Sequence, residues 1–325
     1  MSGASPSPRP ATQTLDSQVG GHPDAVLTTE DNTLLIKQAL PLELQFYQTV
    51  AATTEPEIEA LRPFIPKFLG TLALEGELDT EQPSTESNAI PVKPIEGPRK
   101  ESIVLENLAN QFLKPNILDI KLGTVLYDEL APPDKVARMK KTAESTTSLK
   151  TGMRLTAFQV YDNLTGSAVK TDKTYGKSLS SSQLPEGIAR FFPISTPDEP
   201  RQGLPAPLLL QILQILREEI QDILNALTAL EIRIVAGSLL ILYESDVSRA
   251  EEGLKWMTEE EDEDEESDSD SDTTDGVRKP GPPCDVRLID FAHTRFVPGQ
   301  GPDEGVLLGL RTVLALLDER IKTIL

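Results

Sequence analysis

The chain has 325 residues and a formal net charge of −21, with 52 acidic against 31 basic side chains, and 38% of it is hydrophobic. That length and apolar content suffice for about two cored domains and exclude a wholly disordered chain. So acidic a balance also excludes direct nucleic-acid binding through a general basic surface, because cation density drives that affinity.

Residues 1–19 are rich in Ser, Pro, Thr and Gln, bury too little apolar surface to offset ordering, and are predicted as a disordered tail. Val26–Thr29 and Leu34–Lys37 then read as a hairpin around a polar turn. Leu42–Thr49 and Glu55–Leu61 read as helices, Thr71–Glu75 as a strand, and residues 79–100 as a flexible loop. Ser102–Leu105 is a buried strand that runs into a hinge at Glu106–Ala109, which closes a small sheet-plus-helix lobe over residues 20–108. A larger mixed lobe follows over 109–325. In it Asp134–Ala143 is a basic helix and Met153–Tyr161 a strand. Pro205–Leu230 carries apolar residues at 3.6-residue spacing and is a long core helix. Ile232–Tyr243 reads as one long buried strand and Val286–Ile289 as another. Between these two strands lies an acidic insertion over 257–283, expected to be disordered. Asp303 is placed to cap a final helix, Glu304–Ile324. The expected fold is α+β with two lobes.

Single Cys284 cannot form an internal disulfide, and the first thirty residues lack the basic and apolar regions of a secretory signal, so a reducing compartment is expected. The most apolar stretch, Ile234–Leu242, is about half as long as a bilayer crossing needs, and no membrane span is expected. The charge is unevenly spread. Glu259–Asp275 holds twelve acids and no base, whereas Lys135–Lys177 holds nine bases against three acids. A polyanionic ligand would be met by the second segment, where Arg138 and Lys141 share a helix face with Lys135; a solvated basic helix is the plainer alternative. The acidic run is an extended, self-repelling loop, or, with Ser267, Ser269 and Ser271 set among acids, a phosphorylation and partner-binding segment.

Three short patterns carry chemistry. In Pro115-Asn116-Ile117-Leu118-Asp119-Ile120-Lys121-Leu122-Gly123 an acid and a base lie two apart on an extended segment and so face one side. Such a pair suits a hydroxyl attacking a phosphate, the acid orienting or deprotonating the hydroxyl and the ammonium stabilising the transferred group. The bland alternative is a surface pair worth little. Asp290 ends an apolar strand before Phe291, as a metal-holding Asp does in kinase-like folds, although Asp commonly ends strands. Lys37 ends an N-terminal strand, where such a site places its phosphate-contacting Lys, although a lone Lys there is usually a solvated edge residue.

Taken together and in this order, these residues resemble the inositol polyphosphate kinases. Their signature Pro-x-x-x-Asp-x-Lys-x-Gly is matched by Pro115, Asp119, Lys121 and Gly123, their Ser-Leu-Leu strand by Ser238-Leu239-Leu240, and their Ile-Asp-Phe-Ala-His-Thr run by residues 289–294. Similarity extends to Phe46-Tyr47, Phe64-Ile65-Pro66-Lys67, Tyr127-Asp128, Tyr175-Gly176-Lys177 and Gly301-Pro302-Asp303-Glu304, so it spans nearly everything from residue 20 onward. Within the family, the compact length and the acidic insertion look most like the fungal multikinase branch.

The resemblance implies a bilobal, protein-kinase-like fold with an ATP site between the lobes, and transfer of the ATP γ-phosphate, with Mg²⁺, to hydroxyls of inositol trisphosphate and tetrakisphosphate. By the same resemblance, Lys37 contacts ATP phosphates and Glu106 and Leu108 offer hinge backbone groups to adenine. Asp119 lies between ribose and substrate, and Lys121 bridges the transferred phosphoryl and a substrate phosphate. Asp290 binds the metal with Ser238 close by, and His293 approaches the inositol phosphate; Arg138, Lys141 and Arg154 are expected to meet the inositol phosphate from the basic charge of their segment, which matches the family's substrate loop only loosely. Phosphoinositide headgroups are further candidate ligands, the acidic run is a candidate binding segment for nuclear regulatory proteins, and a nuclear and cytoplasmic location is expected. Single-step trisphosphate 3-kinase or hexakisphosphate kinase activity is the alternative within the family. A non-catalytic nuclear scaffold acting through the acidic segment is the alternative outside it.

Overall fold

In the computed structural model, residues 12–15, 19, 26–73, 76–78, 92–94, 101–263 and 281–325 are described. The polar turn at 30–33 folds the chain back on itself. Asp31 accepts hydrogen bonds from Thr29 and Thr33 while Asn32 takes a left-handed conformation, which its short polar side chain tolerates. Strand β2 (Val26–Thr29) therefore pairs antiparallel with β3 (Leu34–Gln38). Outside β2 lies β1 (Thr12–Thr14), and beyond β3 come β7 (Glu101–Glu106) and the edge strand β4 (Phe68–Ala73), giving the order β1-β2-β3-β7-β4. Helix α1 (Pro41–Ala52) starts on a proline, which suits a first helical turn, and buries Glu43, Phe46, Tyr47 and Val50 at i, i+3, i+4 and i+7. A short α2 (Pro56–Glu59) follows, and β5 (Gly76–Leu78) pairs with β6 (Val92–Pro94) in a separate ribbon.

The larger part is a second sheet backed by helices. It contains β8 (Pro115–Leu122), β9 (Met153–Asp162), β10 (Ser167–Thr171), β12 (Ser238–Glu244) and β13 (Cys284–Ile289) in the antiparallel order β10-β9-β8-β12-β13. Between β8 and β9 lie α3 (Pro133–Ser145) and α4 (Ser148–Thr151); after β10 come α5 (Lys173–Ser178), α6 (Leu184–Phe191) and α7 (Ala206–Thr228). The remaining elements are β11 (Ile232–Val235), α8 (Val247–Glu263), β14 (His293–Phe296) and α9 (Glu304–Ile324). The predicted stripe of α7 is the buried one, from Leu209 through Ile212, Leu216, Ile220 and Ile223 to Leu227, and Asp303 caps α9 by accepting from the amides of Gly305 and Val306. Leu118, Ile120 and Leu122 turn into the core with these helices, so strand alternation presents Ile117, Asp119 and Lys121 on the opposite face. The fold is α+β and bilobal.

Several expectations are corrected. Ile232–Tyr243 is not one strand: it breaks at Ala236, whose φ is 60°, and its halves join different sheets, β11 pairing with β14 and β12 with β8 and β13. Within the stretch expected as a tail, Thr12–Thr14 forms β1, because an edge strand needs only main-chain pairing and no apolar side chains. Within the expected 79–100 loop, Val92–Pro94 is a strand. The acidic insertion begins later than expected, since α8 continues to Glu263 on residues of good helix propensity. Residues 264–280 of that insertion lie outside the described part. No helix among the described residues is long and apolar enough to cross a membrane.

Candidate active site

Two adjacent strands break side by side. Where β11 passes into β12, Ala236 is left-handed. Where β13 passes into β14, Asp290 is left-handed as well, with φ of 66°. Both are non-glycine residues in a sparsely populated region, a kind of strain that persists only when the surroundings hold it. Gly237 permits the first break, since a Cβ there would come 2.4 Å from Ile234. The consequence is that the Ala236 carbonyl turns toward β8 and accepts from Lys121 Nζ at 2.9 Å. Asp290 leaves the sheet beside it.

Lys121 Nζ lies 2.7 Å from Asp290 Oδ2, and Lys37 Nζ, from the other lobe, lies 3.0 Å from Asp290 Oδ1 and 2.8 Å from Glu43 Oε1. Burial by itself would raise the Asp290 pKa, but the ammoniums of Lys121 and Lys37 outweigh it and hold the carboxyl far below the usual range. For Lys37, burial acts to lower the pKa, and Asp290 and Glu43 overcome it, so the ammonium is kept charged. Helix α1 fixes this meeting of lobes. It supplies Glu43, and its Phe46 stacks on Phe291, the neighbour of Asp290, with ring centroids 4.0 Å apart, while Tyr47 meets Phe291 edge-on.

Next to Lys121 on β8, Asp119 is only 3% exposed, and its Oδ1 is buried with no hydrogen-bond partner among the described residues. Burial raises its pKa, an effect Lys121 opposes and Asp290 reinforces. Across the sheet, Lys121 is in register with Arg154 on β9 and Ser238 on β12. The Ser238 hydroxyl is buried too, close enough to Asp119 to oppose the rise in that carboxyl's pKa. The Arg154 guanidinium is pulled down in pKa by burial and up by Asp119, and donates weakly to Ser148 Oγ at 3.4 Å. His293 Nδ1 lies 2.6 Å from Asp128 Oδ2.

Lys37, Glu43, Asp119, Lys121, Ala236, Asp290 and His293 line one cavity of about 550 Å³, within the size range of small-molecule sites. One end is an apolar slot. Its sheet side is Val26, Leu35 and Leu105, its other side Ile117, Leu240, Leu242 and Ile289, and its back the Glu106–Ala109 crossing. The other end holds Lys37, Asp119, Lys121, Lys173, Asp290 and His293. Among the described residues no group of three or more His, Cys, Asp or Glu side chains forms a metal cage. Asp290, with the buried oxygens of Asp119 and Ser238 nearby, is an oxygen set that suits a hard cation completing its shell with phosphates and water.

Residues 102–318 match the profile of the inositol polyphosphate kinase family. The chain belongs to this family. It is 30% identical over 350 residues to the inositol polyphosphate multikinase of Saccharomyces cerevisiae, an alignment covering 92% of this chain and 96% of that one. It is 31% identical over 232 residues to inositol hexakisphosphate kinase 3 of Mus musculus, covering 68% of this chain but 51% of the relative. In three dimensions it resembles the inositol phosphate multikinase Ipk2 of S. cerevisiae in complex with ADP and Mn²⁺, with a TM-score of 0.61, 26% identity, and coverage of 89% of this chain and 99% of that one. The fold is thus the kinase-like one expected from the sequence.

Among the kinase residues singled out from sequence, Lys37, Glu106, Leu108, Asp119, Lys121, Asp290 and His293 line the cavity. Ser238 and Arg154 sit one strand away from Lys121, in register with it. Arg138 and Lys141 do not join them: both stand exposed on α3 and are not on the cavity wall. Sequence reasoning missed Glu43, Asp128 as the partner of His293, the Ala236 carbonyl and Lys173. Lys173 left a signal as one of nine bases in the basic segment, and Asp128 as part of the Tyr127-Asp128 similarity, without a role; Glu43 and the Ala236 carbonyl depend on tertiary convergence.

Proposed function

We propose that this kinase is an inositol polyphosphate multikinase, which moves the γ-phosphate of ATP onto hydroxyls of inositol trisphosphate and then tetrakisphosphate to give a pentakisphosphate. The observation that carries the reading is the convergence of Lys37 and Lys121, one from each lobe, on Asp290 beside buried Asp119. Phosphoryl transfer asks a protein chiefly for positioning and for charge neutralisation, and this arrangement offers both.

In this reading adenine lies in the apolar slot against Glu106–Leu108 and the triphosphate runs toward Lys37. The inositol hydroxyl approaches next to Asp119. As its oxygen bonds to the γ-phosphorus and the bond to the β-phosphate oxygen breaks, its proton passes to the Asp119 carboxylate and the electron pair leaves with ADP. Burial makes Asp119 a better proton acceptor than an exposed Asp. Lys121, held by the Ala236 carbonyl, faces the negative charge on the moving phosphoryl. Asp290, with Ser238 and Asp119 near it, would hold a divalent ion, Mg²⁺ in the cell, that neutralises phosphate charge. Lys173 and His293 face substrate phosphates at the open end, with Asp128 orienting the imidazole. Arg138, Lys141 and Arg154 act at longer range, by attracting the polyanion or by supporting Lys121. A phosphoinositide headgroup carries the same phosphate chemistry and is a further candidate ligand.

One alternative is a hexakisphosphate kinase, since the chain is 31% identical to such an enzyme over the shared region and 30% identical to the multikinase. Chromatography of the products formed from inositol trisphosphate with ATP and Mg²⁺ separates the two. The multikinase reading predicts successive tetrakis- and pentakisphosphate. A single product from the trisphosphate, or turnover of the hexakisphosphate alone, overturns it.

A further inference from the structure

Two side chains that precede the first long strand reach the same cavity. Leu15 and Val19 are both half-buried on its wall, at the apolar end. The register of β1 on β2, Thr12 opposite Thr29 and Thr14 opposite Leu27, brings Leu15 alongside Val26 at the outer edge of the small-lobe sheet. Val19 packs instead on Leu108, Phe112, Ile117 and Leu242, which belong to the interlobe crossing and the large-lobe sheet. One side chain is therefore attached to the roof of the slot and the other to its floor.

We propose that Leu15 and Val19 form the outer wall of the base end of the nucleotide site and are affinity determinants for ATP. The proposal rests on the reading above that the apolar slot takes the base. With both side chains in place the cavity still holds about 550 Å³, room for a small molecule, so they enclose the space rather than fill it. Two aliphatic groups at the mouth remove water from the face and edge of a bound base, and that burial is lost when they are made polar. Neither side chain reaches Lys121 or Asp290, which lie at the opposite end. The effect belongs to nucleotide affinity and not to the chemical step.

The test uses the full chain carrying Leu15→Asp with Val19→Asp, and separately Leu15→Ala with Val19→Ala in case the charged pair disturbs folding. KM for ATP, KM for inositol trisphosphate, kcat, and the dissociation constant for ADP are measured, with thermal unfolding as the control. The proposal predicts that KM for ATP and the ADP dissociation constant rise about tenfold in the Asp pair and about threefold in the Ala pair. It predicts that kcat at saturating ATP and KM for the inositol phosphate stay within about twofold of wild type. An unchanged KM for ATP overturns the proposal, as does a lowered one, which would make the segment an obstruction. A fall in kcat alone overturns it too. Leu240→Lys, on the floor of the slot, separates the two levels of inference. If it raises KM for ATP while the Leu15 and Val19 variants do not, only the wall is wrong; if none of them does, the slot is not the base site.

Discussion

Asp290 is held in a left-handed conformation that costs on the order of 1 kcal/mol for a residue with a side chain, and it is there that both lysines meet. The strain is compensated by the stacking of Phe291 on Phe46 and by two ammoniums that keep the carboxylate ionised. Asp119, two positions before Lys121, has the opposite environment, since burial raises its pKa. If it takes the hydroxyl proton, activity falls as pH drops through that raised value, so the acid limb of kcat lies above the position of an exposed aspartate. Asp119→Asn should remove most turnover and that limb with it; a wild-type limb no higher than an ordinary Asp speaks against the assignment. Asp128 acts through another residue. Its carboxylate accepts from His293 Nδ1 at 2.6 Å, which fixes the ring and leaves Nε2 for a substrate phosphate. Asp128→Asn is expected to raise KM for inositol trisphosphate roughly three- to tenfold with KM for ATP unchanged. Steady-state kinetics with each substrate varied in turn reads this directly, and equal KM values for both proteins would remove Asp128 from the site.

At the scale of elements, the site depends on how α9 seats the ends of β8 and β9. Gly309 of α9 lies against Gly152, such that a Cβ would come 2.2 Å from the Gly152 carbonyl oxygen, and that oxygen accepts from the Gly123 amide at 2.7 Å. Gly152 itself is left-handed, with φ of 68°. Gly309→Ala should therefore destabilise the protein by about 1–3 kcal/mol and displace the strand ends that carry Lys121 and Arg154. Denaturant unfolding checks the first expectation and turnover the second. Helix α7 makes a different prediction. Glu219 has its pKa raised to about 7, first by burial and then by Asp285, whose own pKa burial lifts to about 6. A raised carboxyl favours the folded state in its protonated form. That stability is fully present below the ordinary glutamate value of 4.5 and is lost as pH rises through about 7. Glu219→Gln should leave stability unchanged near pH 4 and raise it by roughly 1–3 kcal/mol near pH 8. Unfolding curves at the two pH values decide it; an equal effect at both contradicts the buried-acid account.

The same elements show what the sequence disclosed. The stripes of α7 and α9 and the Asp303 cap were legible because helical periodicity and capping are local. Asp119 and Lys121 were legible as a pair because a strand repeats every two residues. The break at Ala236 was not, since alanine carries no preference for φ of 60° and only Gly237 hinted at it. Glu43 and Asp128 were not legible either, because each matters through a partner far away in sequence: Glu43 supports a lysine that meets residue 290, and Asp128 a histidine 165 positions on.

For the whole molecule, the charge of −21 is compatible with a polyanionic substrate because it is distributed. Twelve acids lie in Glu259–Asp275, whereas the cavity's open end presents Lys37, Lys121, Lys173 and His293. The two lobes contribute unequally to that end: Lys37 comes from β3 of the small sheet, Asp119 and Lys121 from β8, and Asp290 from the link between β13 and β14. Cys284, buried in the core with its thiol pKa pushed up by burial, takes no part. The central claim is that this meeting of lobes is where phosphate is transferred. The most direct measurement is turnover of inositol trisphosphate by Asp290→Asn, a replacement of nearly equal shape, at saturating ATP and Mg²⁺ and with unfolding monitored in parallel. The account predicts a folded protein whose kcat is lower by about 10³-fold or more; a folded variant that turns over within about twofold of wild type would contradict it.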